Sequence, residues 1–514
     1  MARNRLFCCN DAKIACKFLR IAYTSPKEMN NPNLLFIYTD EQAFNTLEAY
    51  GNSEISMPNL NRLAERSVVF DQAYVTQPVC TPSRSTLLTG LYPHTNGCTA
   101  NNVPLRPETL CLPEMLAGGD YVTAHFGKWH LGDELYAQHG FGEWIGIEDG
   151  YNQYNGKGKD RSIRSGYHHY LIECGLAPRN GKTFSREEAA RLPEEHGKPA
   201  FLAREASRFI RANRNDPFAL YVNFLEPHMP YFGPRDNQYD PRTIPLPPNF
   251  DAVLDDSQPL KARAFAQAYR EWGHSGMPLR TPEDWRRLIA NYWGLCSLID
   301  THIGTILNTL EESGLSDNTI VVFTSDHGDM MGSHGLTAKS VMFEEAVRVP
   351  LMIRLPNQDQ GKHVSGPVSH IDVVPTLLDL MNQPIPPHLQ GKSLRGLLET
   401  EKATSTGSVF IEWNGHNTGF VGEEWGSFPM PSALEGVVSR EEVETAVSDP
   451  VRTVVTPDGW KLNHSQRGEH ELYDLSSDPG ETENLFYRTE SAPIVDRLKE
   501  EIARWQKRTG DAKW

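Results

Sequence analysis

Short uninterrupted apolar runs recur along the chain, and each gives way to polar groups. Leu34-Leu35-Phe36-Ile37-Tyr38 leads into Thr39-Asp40-Glu41-Gln42, and Tyr121-Val122-Thr123-Ala124-His125-Phe126 leads into Gly127-Lys128-Trp129-His130. Residues 218–224 lead into Glu226-Pro227-His228-Met229-Pro230, and residues 319–324 into Ser325-Asp326-His327-Gly328. Runs without polar alternation predict strands buried on both faces, as in a parallel sheet covered by helices. Val68-Val69-Phe70 predicts a further short strand, and residues 349–353 and 373–377 complete the core pattern. Met57-Pro58-Asn59-Leu60 predicts a helix start. Leu295, Leu298, Ile299, His302, Ile303 and Ile306, at helical spacing, predict a long helix over 282–313. Residues 145–200 and 231–282 are irregular, rich in Gly, Pro or charge, and are expected as loops on the surface.

Beyond about residue 400 the pattern changes. Val409-Phe410-Ile411-Glu412, residues 451–455 and Trp460-Lys461-Leu462 predict a small antiparallel sheet, and a last helix is expected over 492–508. The expected fold is α/β: a large, mostly parallel central sheet flanked by helices, with a smaller C-terminal antiparallel subdomain. In an open parallel sheet the carboxyl ends of the strands share one edge, where ligands bind. Asp40 and Glu41, Lys128 and His130, Glu226 and His228, and Asp326 and His327 are therefore expected to converge.

Pro78-Val79-Cys80-Thr81-Pro82-Ser83-Arg84 supplies the chemistry for that edge. Pro suits the first turn of a helix, which puts Cys80 at a helix N-terminus, where N–H groups and the dipole favour negative charge. Arg84 falls one turn on, on the same face. A fork-shaped cation beside a nucleophile suits a tetrahedral oxyanion.

Composition narrows the reading. The chain has 514 residues, 39% hydrophobic and 23% charged, enough for a sizeable core. A formal net charge of -16 argues against nucleic acid as a partner. No apolar run has the length of a membrane span. The 8 cysteines are few for the length, so Cys98, Cys111, Cys174 and Cys296 are expected as buried thiols rather than a disulfide framework. Cys8, Cys9 and Cys16 crowd into residues 1–28, expected to be an unpacked extension. Asn10-Asp11-Ala12-Lys13 breaks its only candidate signal sequence, which points to the cytoplasm, or to the periplasm or exterior if the true start differs.

Cys80-Thr81-Pro82-Ser83-Arg84 with Thr89-Gly90, together with Gly119-Asp120-Tyr121-Val122-Thr123 and Gly127-Lys128-Trp129-His130-Leu131-Gly132, resembles the signatures of type I sulfatases of the alkaline phosphatase superfamily. Further matches follow in order from Asn33 to about Leu485. The resemblance implies a catalytic domain over 29–400 and a C-terminal subdomain over 401–514. It implies that Cys80 is oxidised to formylglycine by a maturation enzyme, and that its hydrate attacks sulfur beside one divalent metal. Calcium is the expected ion, with magnesium or manganese as alternatives. Asp40, Glu41, Asp326 and His327, with residue 80, are the implied ligands. The family commonly has Asp-Asp and Asp-Asn at these pairs, so Glu41 and His327 depart from its pattern.

Lys128, His228, Lys339 and His334 are the implied substrate-binding set. His228, helped by Lys339, would protonate the leaving alcohol, and His130 would take a proton as the sulfate ester on residue 80 collapses. The implied substrate is a small or oligosaccharide sulfate ester. Trp144, Tyr151, Tyr154, Trp272, Trp413 and Trp425, in or beside the variable loops, suit sugar stacking. Two other readings stand beside it: a phosphonate monoester or phosphodiester hydrolase of the same superfamily, and a non-catalytic protein that binds sulfated glycans through an unmodified Cys80. Relatives of the first kind generally lack the paired Gly-Lys-x-His motif.

Overall fold

The computed structural model describes residues 31–116, 120–415 and 430–512. The expected extension over 1–28, with Cys8, Cys9 and Cys16, lies outside the described residues, as do Gly119 and Trp425.

Nine strands form the main sheet: β1 (Asn33–Asp40), β2 (Val68–Tyr74), β3 (Val122–Gly127), β4 (Glu143–Ile145), β5 (Phe218–Pro227), β6 (Thr319–Ser325), β7 (Arg348–Val349), β8 (Leu351–Arg354) and β9 (Lys362–Ser369). The order is β4-β3-β5-β1-β6-β8-β2-β7, with β9 also paired to β2. β4, β3, β5, β1 and β6 are mutually parallel, and β2 and β9 run the same way; only β7 and β8 oppose them. The four strands with polar ends are thus adjacent in space, in the order β3-β5-β1-β6.

Every residue of β1 is buried, and its side chains alternate between two cores. Leu35 and Ile37 join one face, and Leu34, Phe36 and Tyr38 the other. Helices Lys198–Ala212 and Pro282–Glu312 cover the first face; Cys80–Thr89 and Val373–Leu380 cover the second. Asp300, within the long helix, accepts from the N–H groups of Asn59 (3.1 Å) and Leu60 (2.7 Å), and so caps the helix Pro58–Ala64.

Some local expectations are corrected. Residues 373–377 begin a helix rather than a core strand, with Pro375 in its first turn where its missing N–H leaves no bond unmade. Pro350 splits the 349–353 run into β7 and β8. Residues 145–200 are less irregular than expected: helix Gly166–Glu173 buries Tyr167 and Leu171 against the first core. Residues 231–282 contain helix Leu260–Trp272, whose Leu260, Ala264, Phe265 and Ala268 face inward. Among the described thiols Cys174 is exposed, while Cys80, Cys98, Cys111 and Cys296 are buried and none is paired.

The second sheet is antiparallel, in the order β10 (Val409–Trp413), β11 (Val451–Val455), β12 (Trp460–Ser465), β13 (Glu471–Asp474). The terminal helix Ala492–Thr509 packs Leu498, Ile502 and Trp505 into a core shared with Phe410 and Val454. His94 joins this layer to the first. Its Nδ1 meets Glu412 Oε2 of β10 at 2.6 Å, and its backbone N–H donates to Glu412 Oε1 at 2.8 Å. Burial alone would lower the imidazole pKa, but the Glu412 carboxylate outweighs it and holds His94 above its ordinary value. A raised value means this contact stabilises fully below the unfolded value, about 6.5, and is lost as pH rises through the folded one. Thermal midpoints measured from pH 6 to 8 should therefore fall more steeply for the wild type than for His94→Gln. Parallel curves would remove this contact as a pH-dependent tie.

Candidate active site

The helix Cys80–Thr89 is buried along its whole length and follows β2 through an extended Val79. Its first residue, Cys80, reaches the carboxyl edge of the sheet, with Sγ 3.2 Å from His327 Nε2 and 3.7 Å from Asp40 Oδ1. Arg84, fully buried, fastens the surrounding strand ends together. Nε donates to Asp326 Oδ2 at 2.8 Å, Nη2 to Asp40 Oδ2 at 3.0 Å, and Nη1 to the Lys128 carbonyl at 2.8 Å. Lys128 Nζ also bonds Asp40 Oδ2. Lys128 can turn toward this point because Gly127 takes φ +117°, where a Cβ would lie 1.9 Å from the Asn223 carbonyl oxygen.

Charge balance sets the protonation states. Burial alone would raise Asp40, but Lys128, His228 and Arg84 outweigh it and hold the carboxyl well below its usual range. Glu41 has less compensation: burial, only partly offset by Lys339, pushes it up to about 8. Burial likewise raises the Cys80 thiol. Glu41 takes φ +70°, and its carbonyl accepts from Tyr292 OH at 2.6 Å. Its Oε2 takes a bond from Lys339 Nζ at 2.8 Å and lies 3.4 Å from His228 Nε2, while its buried Oε1 has no hydrogen-bond partner.

The imidazoles are set by what their other nitrogens bond. His327 Nδ1 donates to the Gly328 carbonyl at 3.0 Å, which leaves a lone pair on Nε2 facing Cys80. His228 Nδ1 donates to the Met229 carbonyl at 2.9 Å, which leaves Nε2 facing Glu41 Oε2. His130 Nε2 bonds Asn102 Oδ1 at 2.9 Å, and its buried Nδ1 has no partner. Burial first, then Lys128 and Arg84, keep His130 neutral.

One carboxylate oxygen each from Asp40 and Asp326, the Cys80 sulfur and a His327 nitrogen lie within 4.8 Å of one another; Asp40, Glu41 and His228 form an overlapping group. An acidic, buried donor set with an orphaned Glu41 oxygen fits a hard divalent cation. Cys80, Arg84, Asp40, Glu41, Lys128, His228, Asp326, His327 and Lys339 are thus linked by direct contacts. His130 adjoins them through Tyr151, whose ring centroid is 4.4 Å from the His130 ring and 5.9 Å from Lys128 Nζ. His334 is the exception to the expected set. It stacks on Phe343 at 4.1 Å and contacts Asn249 at 3.2 Å, and no contact among the described residues joins it to the Cys80 cluster.

Of the described aromatic candidates, Tyr151 touches this cluster directly. Trp144 packs on His125 and Trp129, and Trp413 is buried beneath Lys261. The supporting groups were not foreseen. Glu134 accepts from the Trp129 and His130 N–H groups at 2.8 and 2.7 Å, and Asp329 accepts from Met331 N, Ala338 N and Tyr231 OH. Arg186 bonds Tyr151 OH at 2.7 Å and clasps Glu148, which also holds Lys198. Glu134, four residues beyond His130, was the one within reach of a local reading.

A mostly parallel sheet with this buried acidic pocket under a helix N-terminus defines an alkaline-phosphatase-like hydrolase. The sulfatase family model matches residues 32–383, and the chain belongs to that family. It is a sulfuric ester hydrolase. It is 29% identical over 483 residues to an uncharacterized sulfatase, YidJ, of Escherichia coli, covering 92% of this chain and 87% of that protein. It is 27% identical over 524 residues to an N-acetylglucosamine-6-O-sulfatase of Bacteroides thetaiotaomicron, covering 94% and 88%. In fold it is similar to a phosphonate monoester hydrolase from Silicibacter pomeroyi, with a TM-score of 0.73, 24% identity and coverage of 93% and 96%. It is also similar to an enzyme solved with its substrate D-glucosamine-2-N,6-O-disulfate, with a TM-score of 0.70, 24% identity and coverage of 94% and 99%.

Replacing Arg84 by glutamine leaves two buried carboxylates without their shared cation. The expected loss of stability is on the order of 3–5 kcal/mol, read from the shift of the chemical denaturation midpoint. An unchanged midpoint would show that Arg84 does not neutralise Asp40 and Asp326.

Proposed function

We propose that the chain hydrolyses the sulfate ester of a carbohydrate or another small alcohol, using a formylglycine made from Cys80 and one bound divalent cation. The observation that carries this reading is Cys80 at a buried helix N-terminus, against Asp40 and His327 and within the field of Arg84, Lys128 and Lys339. Asp40, Asp326, His327 and residue 80 would hold the cation, with Glu41 as a further ligand through its unpartnered oxygen. Calcium suits the carboxylates, and the His327 nitrogen keeps magnesium and manganese open. When bound, the cation lowers the pKa of an adjacent hydroxyl so that it is a nucleophile at neutral pH. Formylglycine, once hydrated, offers two such hydroxyls on one carbon, the second of which allows the sulfate ester to be shed.

The remaining roles fall to side chains in the folded chain. Arg84, Lys128 and Lys339 would balance the charge that builds on the sulfate oxygens. His228, through Nε2 beside Glu41 and helped by Lys339, would pass a proton to the leaving alcohol oxygen. His130, neutral and with Nδ1 open, would accept the proton of the second hydroxyl. Tyr151 offers a ring at the mouth of the site, which suits a sugar face, and the N-acetylglucosamine-6-O-sulfatase relative supports that substrate class. The phosphonate monoester hydrolase neighbour shares the fold, but Gly127-Lys128-Trp129-His130 favours sulfate as the group cleaved.

The test begins with mass spectrometry of the tryptic peptide 67–84 from protein made in its native host. An aldehyde mass at residue 80 is expected; an intact thiol throughout would sink the formylglycine mechanism and favour a binding protein. With matured enzyme, sulfated sugars should turn over faster than a phosphodiester control. Cys80→Ala should abolish turnover, and Lys128→Ala should lower kcat by about 10²–10³-fold. Chelation should remove activity, and added calcium, magnesium or manganese should restore it.

A further inference from the structure

Outside the active site a second mixed set of donors meets where the loop over 131–142 lies against the helix Leu112–Met115. A sulfur, a carboxylate oxygen and an imidazole nitrogen from Cys111, Glu114 and His139 lie within 4.8 Å of one another. Cys111 is fully buried, the His139 side chain is 4% exposed, and Glu114 opens to solvent. His139 Nδ1 is 3.5 Å from Glu114 Oε2, yet it has no hydrogen-bond partner. A buried nitrogen left this way is destabilising, and a ligand would recover that loss.

The frame around these groups is rigid. His139 takes φ +51° and stacks on Trp129 at 5.9 Å, and Thr123 Oγ1 donates to the Gly140 carbonyl at 2.7 Å. Gly140 takes φ +78°, where a Cβ would meet Glu114 Cγ at 2.7 Å and Pro113 Cβ at 3.1 Å. The loop is therefore pressed onto the helix with the imidazole held toward the carboxylate. Glu114 Oε2 is itself aligned by the Cys111 N–H at 2.9 Å.

We propose that Cys111, Glu114 and His139 form a second metal site, selective for zinc over calcium and magnesium, that fastens the 131–142 loop to the helix at 112–115. One sulfur, one nitrogen and one oxygen are a borderline-soft donor set, unlike the carboxylate-rich pocket at Asp40. Three protein ligands leave a fourth position on the Glu114 side for water. As the sulfur–zinc bond forms, the thiol proton leaves to solvent, and no electrons are exchanged. The loop so fastened begins just past Lys128 and His130 and contains Glu134, which aligns both the Trp129 and His130 N–H groups. The inference does not depend on the reaction assigned to the active site.

Cobalt(II) is the probe, in full-length Cys80→Ser protein with calcium in excess, so that neither the Cys80 thiol nor the Asp40 pocket contributes. Cys8, Cys9 and Cys16 remain in every protein compared, so any signal from them is common to all. A thiolate-to-cobalt charge-transfer band, displaced by zinc, is expected in this parent. It should fall to the level of that common signal when Cys111→Ser is added, and with His139→Gln the affinity should fall at least about tenfold. Zinc should also raise the thermal midpoint of the parent more than that of either variant. If Cys111→Ser does not fold, the His139→Gln comparison decides alone. A parent without the band, or His139→Gln binding cobalt as tightly as the parent, overturns the site.

Discussion

The structure depends on burying several charges at one point of a sheet edge, and Arg84 is what makes that tolerable. Asp40 and Asp326 stand at the ends of two neighbouring strands, so β1 and β6 bring two fully buried carboxylates together. A single planar guanidinium answers both and still has a donor for the Lys128 carbonyl on a third strand. A lysine would be a point charge and could not hold three strand ends at fixed angles. The same constraint fixes where Cys80 sits. Arg84 can reach the carboxylates only if the helix enters from β2 with its first turn over the edge, and that places Cys80 Sγ beside Asp40 and His327.

Around this pivot the donors are graded rather than uniform. Asp40 is held ionised chiefly by Lys128 and Arg84, whereas for Glu41, one residue on, Lys339 and His327 only partly offset burial and the carboxyl is raised to about 8. Two adjacent carboxyls in one pocket thus differ in the state they prefer. The difference comes from partners, since both side chains are fully buried. A divalent cation bound there would bring Glu41 down toward Asp40.

Much of this was legible in the sequence, because buried parallel strands are written as apolar runs and their polar ends can be read directly. Asp40, Lys128, His228 and Asp326 followed from that rule, and Cys80 from the placement of Pro82. Three kinds of feature were missed or misread. Helix Leu260–Trp272 carried a usable signal, with Leu260, Ala264, Phe265 and Ala268 at helical spacing, but flanking prolines obscured it. His334 carried a misleading one: it stands close to Lys339 in sequence, yet positive φ values at His334 and Ala338 turn the chain, and the imidazole packs on Phe343 while Lys339 reaches Glu41. Glu148, Arg186 and Asp329 act through residues distant in sequence, so no local pattern announces them.

The 145–200 region bears most directly on what the site can accept. It supplies Tyr151, and Tyr151 is held in place by a buried exchange of charge: Arg186 donates to its hydroxyl and to Glu148, and Glu148 also neutralises Lys198 on the next helix. Burial alone would raise Glu148, but Arg186 and Lys198 together hold its carboxyl far below the usual range. The ring that faces His130 and Lys128 is therefore coupled, through one carboxylate, to a helix of the main fold. Loss of Arg186 would release the ring and leave Lys198 as the only cation on Glu148. Loss of Glu148 would leave two cations near a site already crowded with positive charge. Tyr151, Arg186, Glu148 and Lys198 are thus tied together as one unit, and this side of the cluster is specified as tightly as its floor.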